Sequence, residues 1–377
     1  MKNPVQRVTE LGQSFWYDYI RRDLYRSGEL KQLIDKGLRG MTSNPTIFQQ
    51  AIAGTDQYDD DIRRLGEEGK SIPEIFEALE VTDVSGAADV FRPVYDATGG
   101  NDGFVSIEVA ASLARDTEAT IVEARRLWKS CGRPNVMVKI PGTEEGVPAI
   151  RQCLSEGINI NVTLLFSVAR YEQVMEAFLS GLEARAGRGE PVDKIRSVAS
   201  FFLSRVDTNV DKKLDAVTKD GNRSEADHAL AKSLRGKLAI GNARLAYEAF
   251  EKVFKSPRFA ALQTKGAAVQ RPLWASTSTK DPAYPDLYYV EAVIGPDTVD
   301  TVPRETFEAY LDHGSPRVSI RDDLAGARDA LAGLARLGID EAQVYRELED
   351  EGVKKFVDSF DKLSQALAEK EKAVRVS

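Results

Sequence analysis

Short apolar runs recur along the chain with amphipathic helical stretches between them, and this alternation restricts the fold to a parallel sheet crossed over by helices. The runs are SFWYDYI from Ser14, GLRGMTSN from Gly37, GFVSIEV from Gly103, VMVKIP from Val136, ININ from Ile158, SVASFF from Ser197, PLWAS from Pro272 and YVEAVIG from Tyr289. Helical periodicity fills 115–130, 143–156, 168–186 and a long stretch from about 225 to 254. Eight repeats predict closure into a (β/α)8 TIM barrel, an α/β fold, with extra helices in the 37–103 and 201–272 gaps. The tail, 338–377, reads as one or two additional helices packed on a side of the barrel. No internal repeat, low-complexity tract or linker interrupts the sequence, so one domain over 1–377 is expected.

Alternation within the strands separates a closed barrel from an open sheet, whose faces are both covered by helices and therefore apolar. Here one side is polar. Ile158, Ile160 and Val162 oppose Asn159, Asn161 and Thr163; Val105, Ile107 and Val109 oppose Ser106 and Glu108; Val136, Val138 and Ile140 oppose Met137 and Lys139. The aliphatic sides can meet helices, and the polar sides can point into the mouth of a barrel, where barrel enzymes keep their chemistry. Lys139, Glu108 and Thr163 are then expected to converge.

Lys139 carries the most chemical information. It interrupts a strand that stops at Pro141 and Gly142, where burial disfavours the charged ammonium by up to ~3–5 pKa units. A neutral amine adds to a sugar carbonyl as a Schiff base. The same residue also suits a strand end whose stem is buried and whose head reaches water.

Composition removes other functions. A net charge of -8, from 51 basic and 59 acidic residues, opposes a general nucleic-acid or membrane-surface role, so an anionic substrate needs a local basic pocket. Cys131 and Cys153 have neither disulfide-scaffold numbers nor metal spacing, which fits a reducing cytoplasm. The start MKNPVQRVTELGQS lacks the apolar core of a signal peptide, and no window approaches the ~18 apolar residues of a membrane span. His228 and His313 are the sole histidines, so Ser/His/Asp catalysis is not expected. Neither GxGxxG nor a P-loop occurs, and Asp56, Asp59, Asp60 and Asp61 read as a solvated helix start rather than a calcium loop.

The ordered set SFWYD, GMTSNPTIF, VSIEV, VMVKIPGTEEG, NINVTLLFS, SFFLSRVD and WASTSTK resembles the transaldolase family in its longer bacterial form, across strands one to seven. The resemblance implies a class I aldolase barrel of the pentose phosphate pathway that moves a dihydroxyacetone unit between sugar phosphates with no metal or organic cofactor. It implies that Lys139 forms the Schiff base, that Asp18 takes the C4 hydroxyl proton, and that Glu108 with Thr163 holds a water. Asn44 and Asn161 match amides that hold the dihydroxyacetone hydroxyls, although Ser43 or Asn44 before Pro45 also suits a helix N-cap.

Phosphate is assigned by the same resemblance to Arg205, with Ser200 nearby, and to Ser276, Ser278 and Lys280. Shorter members carry an arginine after the seventh strand, and Lys280 stands in its place here. Taken without the family, STSTK reads as a solvated turn and Arg205 as a helix-start surface residue. Two other functions remain open at this point: a fructose 6-phosphate aldolase-type lyase and a noncatalytic sugar-phosphate binding barrel. The expected partners are sugar phosphates, with no nucleic acid or membrane, in a monomer or homodimer.

Overall fold

A computed structural model describes the backbone of residues 2–43 and 45–376, with the side chains of all but 45–47, 50, 53, 375 and 376 among these. Eight parallel strands pair in chain order and the last closes on the first. They are β1 (Gln13–Asp18), β2 (Gly40–Thr42), β3 (Phe104–Glu108), β4 (Val136–Pro141), β5 (Ile160–Leu165), β6 (Ser197–Phe202), β7 (Gln270–Ala275) and β8 (Thr298–Val302). This is the (β/α)8 barrel that the alternation predicts. The extra helices fall in the two gaps, among them Ile72–Ala97 in the first and Ser204–Lys219 in the second. Outward residues bind the helical ring: Phe15 of β1 lies 6.3 Å from Phe307 and 4.9 Å from Tyr310, centroid to centroid. Each such fully buried large apolar side chain stabilises the fold by roughly 1.5–3 kcal/mol.

The inward residues divide the barrel into two ends. At the strand starts, Arg271 donates from Nη1 to Asp102 (3.0 Å) and to the Asn101 carbonyl (3.0 Å). From Nη2 it donates to Ser14 (2.7 Å) and to the Thr298 carbonyl (2.6 Å), while Ser14 donates to Asp102 (2.7 Å). This end is filled by buried groups bonded to one another, with Arg271 Nε and the Gln13 and Gln270 carbonyl oxygens left without a partner among the described residues.

Three sequence expectations need correction. YVEAVIG is not the eighth strand; its first residues form the helix Tyr288–Ala292, and the strand is Thr298–Val302. Tyr289 is buried there with its hydroxyl donating to Asp207 at 2.9 Å, so the apolar run packs as a helix. Gly295, Pro296 and Asp297 (φ 57°) then turn the chain into TVDTV, which is β-branched but too polar to stand out by hydropathy. The long 225–254 stretch is broken into Glu225–Leu234 and Leu238–Phe254 by Gly236, which takes a left-handed backbone (φ 71°).

The tail forms the helix Glu341–Val376, and it crosses the mouth of the barrel rather than covering a side. Its height is set by a close approach. Leu164 of β5 adopts φ 59°, at the point where pairing with β6 slips between Val162 and Leu165. Its side chain meets Gly352 so tightly that a Cβ there would stand 2.9 Å from Leu164 Cδ2. A glycine at that point lets the C-terminal helix lie directly over β5.

Candidate active site

Register brings the catalytic candidates together. In the parallel pairing Glu108 of β3 is opposite Lys139 of β4, and Lys139 is opposite Asn161 of β5. Neighbours in register share a face, so the three side chains project side by side into the barrel near the strands' C-terminal ends. Lys139 Nζ donates to Glu108 Oε2 at 3.1 Å and to the Ser43 carbonyl at 3.3 Å. Both side chains are buried, 8% and 4% exposed, so each charge is chiefly compensated by the other. Burial pushes the Glu108 carboxyl above its usual range, and the Lys139 amine only partly offsets this. Two further oxygens here are buried without a partner among the described residues: Glu108 Oε1 and Thr163 Oγ1. Phe356 of the C-terminal helix roofs the lysine, its ring centroid 5.6 Å from Nζ.

Asp18, at the end of β1, is half-buried and stands in the same cavity as Lys139 and Thr163. The Thr42 hydroxyl donates to Asp18 Oδ1 at 2.8 Å and is itself 2.8 Å from the Thr301 hydroxyl, so Thr42 holds the carboxylate and Thr301 backs Thr42 from the other neighbouring strand. Asn161 is held from both sides: it donates to Ser106 at 3.0 Å and accepts from Ser200 at 2.7 Å. Ser200 therefore aims its proton at the amide beside the lysine, and its position is closer to the carbonyl chemistry than to the phosphate candidates. Asn44 lies outside the described residues.

The cavity above these groups has a volume of about 590 Å³ and extends from Lys139 toward Arg205 and Lys280. Arg205 is the second residue of the helix Ser204–Lys219 and lies with its guanidinium 4.8 Å from the Phe202 ring centroid. Burial holds its pKa below the usual guanidinium range, opposed by Asp18, Glu108 and Glu351. The ends of β6 and β7 are stapled together here, with Ser204 N donating to the Ser276 carbonyl (2.9 Å) and the Ser204 and Ser276 hydroxyls 2.8 Å apart. Ser276 takes the left-handed backbone (φ 56°), which turns the following segment over the cavity. There Lys280 donates to Ser278 at 2.8 Å. Thr277, between Ser276 and Ser278, donates to Asp300 of β8 at 2.7 Å; burial pushes that carboxyl up to about 8.

Sequence reasoning missed several lining residues. Thr208 and Lys212 follow Arg205 at helical spacing and share its face, a signal that was available from the sequence. Leu348, Glu351, Gly352, Lys355 and Phe356 come from the C-terminal helix, and nothing local in the sequence announces that this helix reaches the mouth.

A closed parallel barrel whose mouth holds a buried lysine against a carboxylate, with a second carboxylate across the cavity and cations at its far end, has the arrangement of a class I aldolase-type enzyme. Comparison with known proteins narrows this class. Residues 15–367 match the model of the Transaldolase/Fructose-6-phosphate aldolase family, and the chain belongs to that family. Among its relatives are proteins named transaldolase from Acidothermus cellulolyticus (49% identical over 369 residues, 97% of this chain and 96% of that one) and Trichodesmium erythraeum (47% over 373 residues, 98% of each). Another is the transaldolase of Thermobifida fusca, 48% identical over 371 residues and 98% of each chain.

Proposed function

We propose that the chain is a transaldolase in which Lys139 is the Schiff-base nucleophile, carrying a dihydroxyacetone unit between sedoheptulose 7-phosphate and glyceraldehyde 3-phosphate on one side and erythrose 4-phosphate and fructose 6-phosphate on the other. The observation that carries the reading is the register that sets Glu108, Lys139 and Asn161 side by side under a cavity whose far end is cationic. Lys139 Nζ adds to the ketose C2 carbonyl, and the carbinolamine loses water to become an iminium. Glu108, 3.1 Å from Nζ, moves protons in these steps, and Glu108 Oε1 with Thr163 Oγ1 supplies two free acceptors for the water. Asp18 takes the C4 hydroxyl proton, the C3–C4 bond breaks toward the iminium, and the aldose leaves an enamine behind. The enamine carbon then attacks the acceptor aldehyde, Asp18 returns its proton to the new alkoxide, and water releases the product ketose from Lys139.

Asn161 serves the dihydroxyacetone hydroxyls, oriented by Ser106 and Ser200, and Asn44 is assigned the same task from the sequence. Arg205, Ser276, Ser278 and Lys280 hold the phosphate. Because the C-terminal helix walls the site, the whole chain works as one domain. Among the described residues no helix is long and apolar enough to cross a membrane, and two buried free thiols, each pushed up to about 12 by burial, suit a cytoplasmic setting.

The test is reduction with borohydride in the presence of fructose 6-phosphate, followed by peptide mass mapping. A reduced dihydroxyacetone or ketose adduct on Lys139 is expected, and an unmodified Lys139 rejects covalent catalysis. The family's name also covers fructose 6-phosphate aldolase, a lyase that releases its three-carbon unit. Fructose 6-phosphate alone separates the two: rapid free dihydroxyacetone without an acceptor aldehyde rejects the transferase reading.

A further inference from the structure

We propose that Lys355, on the C-terminal helix, is a substrate-phosphate residue that completes a cation cluster with Arg205, Lys212 and Lys280, an inference that rests on the sugar-phosphate reading above. The helix presents one stripe to the cavity: Leu348, Glu351, Gly352, Lys355 and Phe356 fall at i, i+3, i+4, i+7 and i+8. Lys355 is thus aligned with Phe356, the roof of Lys139, and with Gly352, whose contact with Leu164 fixes the helix over β5. The next residue outward on the helix behaves differently. Lys354 pairs with Asp358 one turn on, at 2.8 Å, on the exposed side.

These cavity cations are engaged differently from the protein's most heavily paired arginines. Arg115, Arg235 and Arg258 each hold two or more carboxylates. Among the described residues Arg205, Lys212 and Lys355 make no ion pair, and Lys280 bonds to a serine hydroxyl alone. Glu351 also faces the cavity, one turn before Lys355, yet the two form no ion pair among the described residues. Arg205, then burial, then Lys280 hold the Lys355 ammonium below its usual range, as expected for like charges facing one volume. A phosphate dianion placed among them relieves that repulsion and receives hydrogen bonds from both sides of the cavity. The C-terminal helix then supplies a binding group as well as a roof, and helix position becomes a determinant of preference for phosphorylated sugars.

The experiment compares Lys355→Gln, Lys355→Arg and Lys354→Gln with the wild type, using inorganic phosphate as a competitive inhibitor and fructose 6-phosphate as donor. Phosphate is bound equally in ground and transition states, so Lys355→Gln is expected to raise the phosphate Ki and the fructose 6-phosphate KM by about tenfold with kcat nearly unchanged. Lys355→Arg is expected to restore both to within about threefold, and Lys354→Gln to leave both at the wild-type values. Borohydride labelling of Lys139 by dihydroxyacetone, which has no phosphate, is expected to be equal in Lys355→Gln and wild type. Unchanged Ki and KM in Lys355→Gln, or an equal rise in Lys354→Gln, overturns the proposal while leaving the aldol reading in place. A wild type that fructose 6-phosphate fails to label at Lys139 removes the parent reading, and this inference goes with it.

Discussion

At the strand starts Arg271 directs its guanidinium to Asp102, Ser14 and two backbone carbonyls, whereas at the strand ends Arg205 lies against Phe202 with no hydrogen-bond acceptor among the described residues. Arg271 projects from a barrel strand and is buried, and Arg205, at the start of the helix that follows β6, is partly buried. The first is tied by four hydrogen bonds to protein groups, with Nε alone left without a partner among the described residues, so its charge belongs to the fold. The second has no protein acceptor among the described residues and lines the cavity, where an incoming anion can take its hydrogen bonds. The carboxylates divide the same way: Asp102 accepts from Ser14, Trp16 and Arg271, while Glu108 keeps one buried oxygen free.

The largest test of this contrast is Lys139→Met. Loss of the nucleophile is expected to lower kcat by about four orders of magnitude or more, in line with nucleophile deletions in other covalent enzymes. Stability should change little, because Glu108, already pushed up by burial, takes a proton instead of remaining as an unpaired charge. Steady-state assay together with thermal unfolding reads both; a large fall in Tm makes Lys139 a structural charge like Arg271. Glu108→Gln comes next, with kcat reduced by about 10²–10³, as for removal of a general acid-base. In the wild type the active carboxylate is lost as pH falls through its folded pKa, which lies above the ordinary glutamate range. The acid limb of kcat/KM therefore sits at higher pH than an ordinary carboxylate gives, and Glu108→Gln removes it. A limb unmoved by this substitution belongs to another group.

The two arginines make the comparison direct. Arg205→Met is expected to raise KM for phosphorylated sugars by about 10–100-fold, the equivalent of losing a charge-assisted contact, with an unchanged or higher Tm. Arg271→Met is expected to do the reverse. Breaking a buried charge network costs about 3–5 kcal/mol, so Tm falls by several degrees, while the folded fraction keeps its KM. Paired kinetic and unfolding measurements on the two variants decide the matter, and similar profiles would abolish the distinction between the ends.

Much of the open end was legible in the sequence because strand period alone assigns faces. Val–Met–Val–Lys–Ile and Ile–Asn–Ile–Asn–Val–Thr leave no choice about which side carries Lys139, Asn161 and Thr163, and parallel pairing aligns them with Glu108. The eighth strand was hidden because TVDTV holds its place through β-branching and ladder hydrogen bonds, while the more apolar YVEAVIG packs as a helix. The closed end was harder to read. Asp102 precedes β3 and Arg271 lies in β7, 169 residues away, so only closure of the ring brings them to 3.0 Å. The C-terminal helix shows the same limit, since its periodicity marks an inner stripe but cannot say which part of the barrel that stripe covers.

The smallest expected effect concerns how far satisfaction extends into the open end. Thr42 is a buried hydroxyl of β2 that donates to Asp18 and meets Thr301 of β8, so the acid-base candidate is held from β2 although it also lines the cavity. Replacing Thr42 with valine keeps the shape, removes one hydrogen bond to a charged group, and leaves Thr301 to reorient. Such a bond contributes about 1.5–3 kcal/mol at most, and the half-buried Asp18 recovers part of it from solvent, so kcat is expected to fall by only about three- to tenfold. The loss should appear in kcat rather than in KM for the phosphorylated donor, because Asp18 works on the C4 hydroxyl and the phosphate is held elsewhere. Single-turnover cleavage of fructose 6-phosphate with and without an acceptor aldehyde reads that step directly. A valine variant with wild-type cleavage makes the Thr42 contact incidental, whereas a hundredfold loss makes Asp18 as dependent on its neighbours as Asp102 is at the closed end.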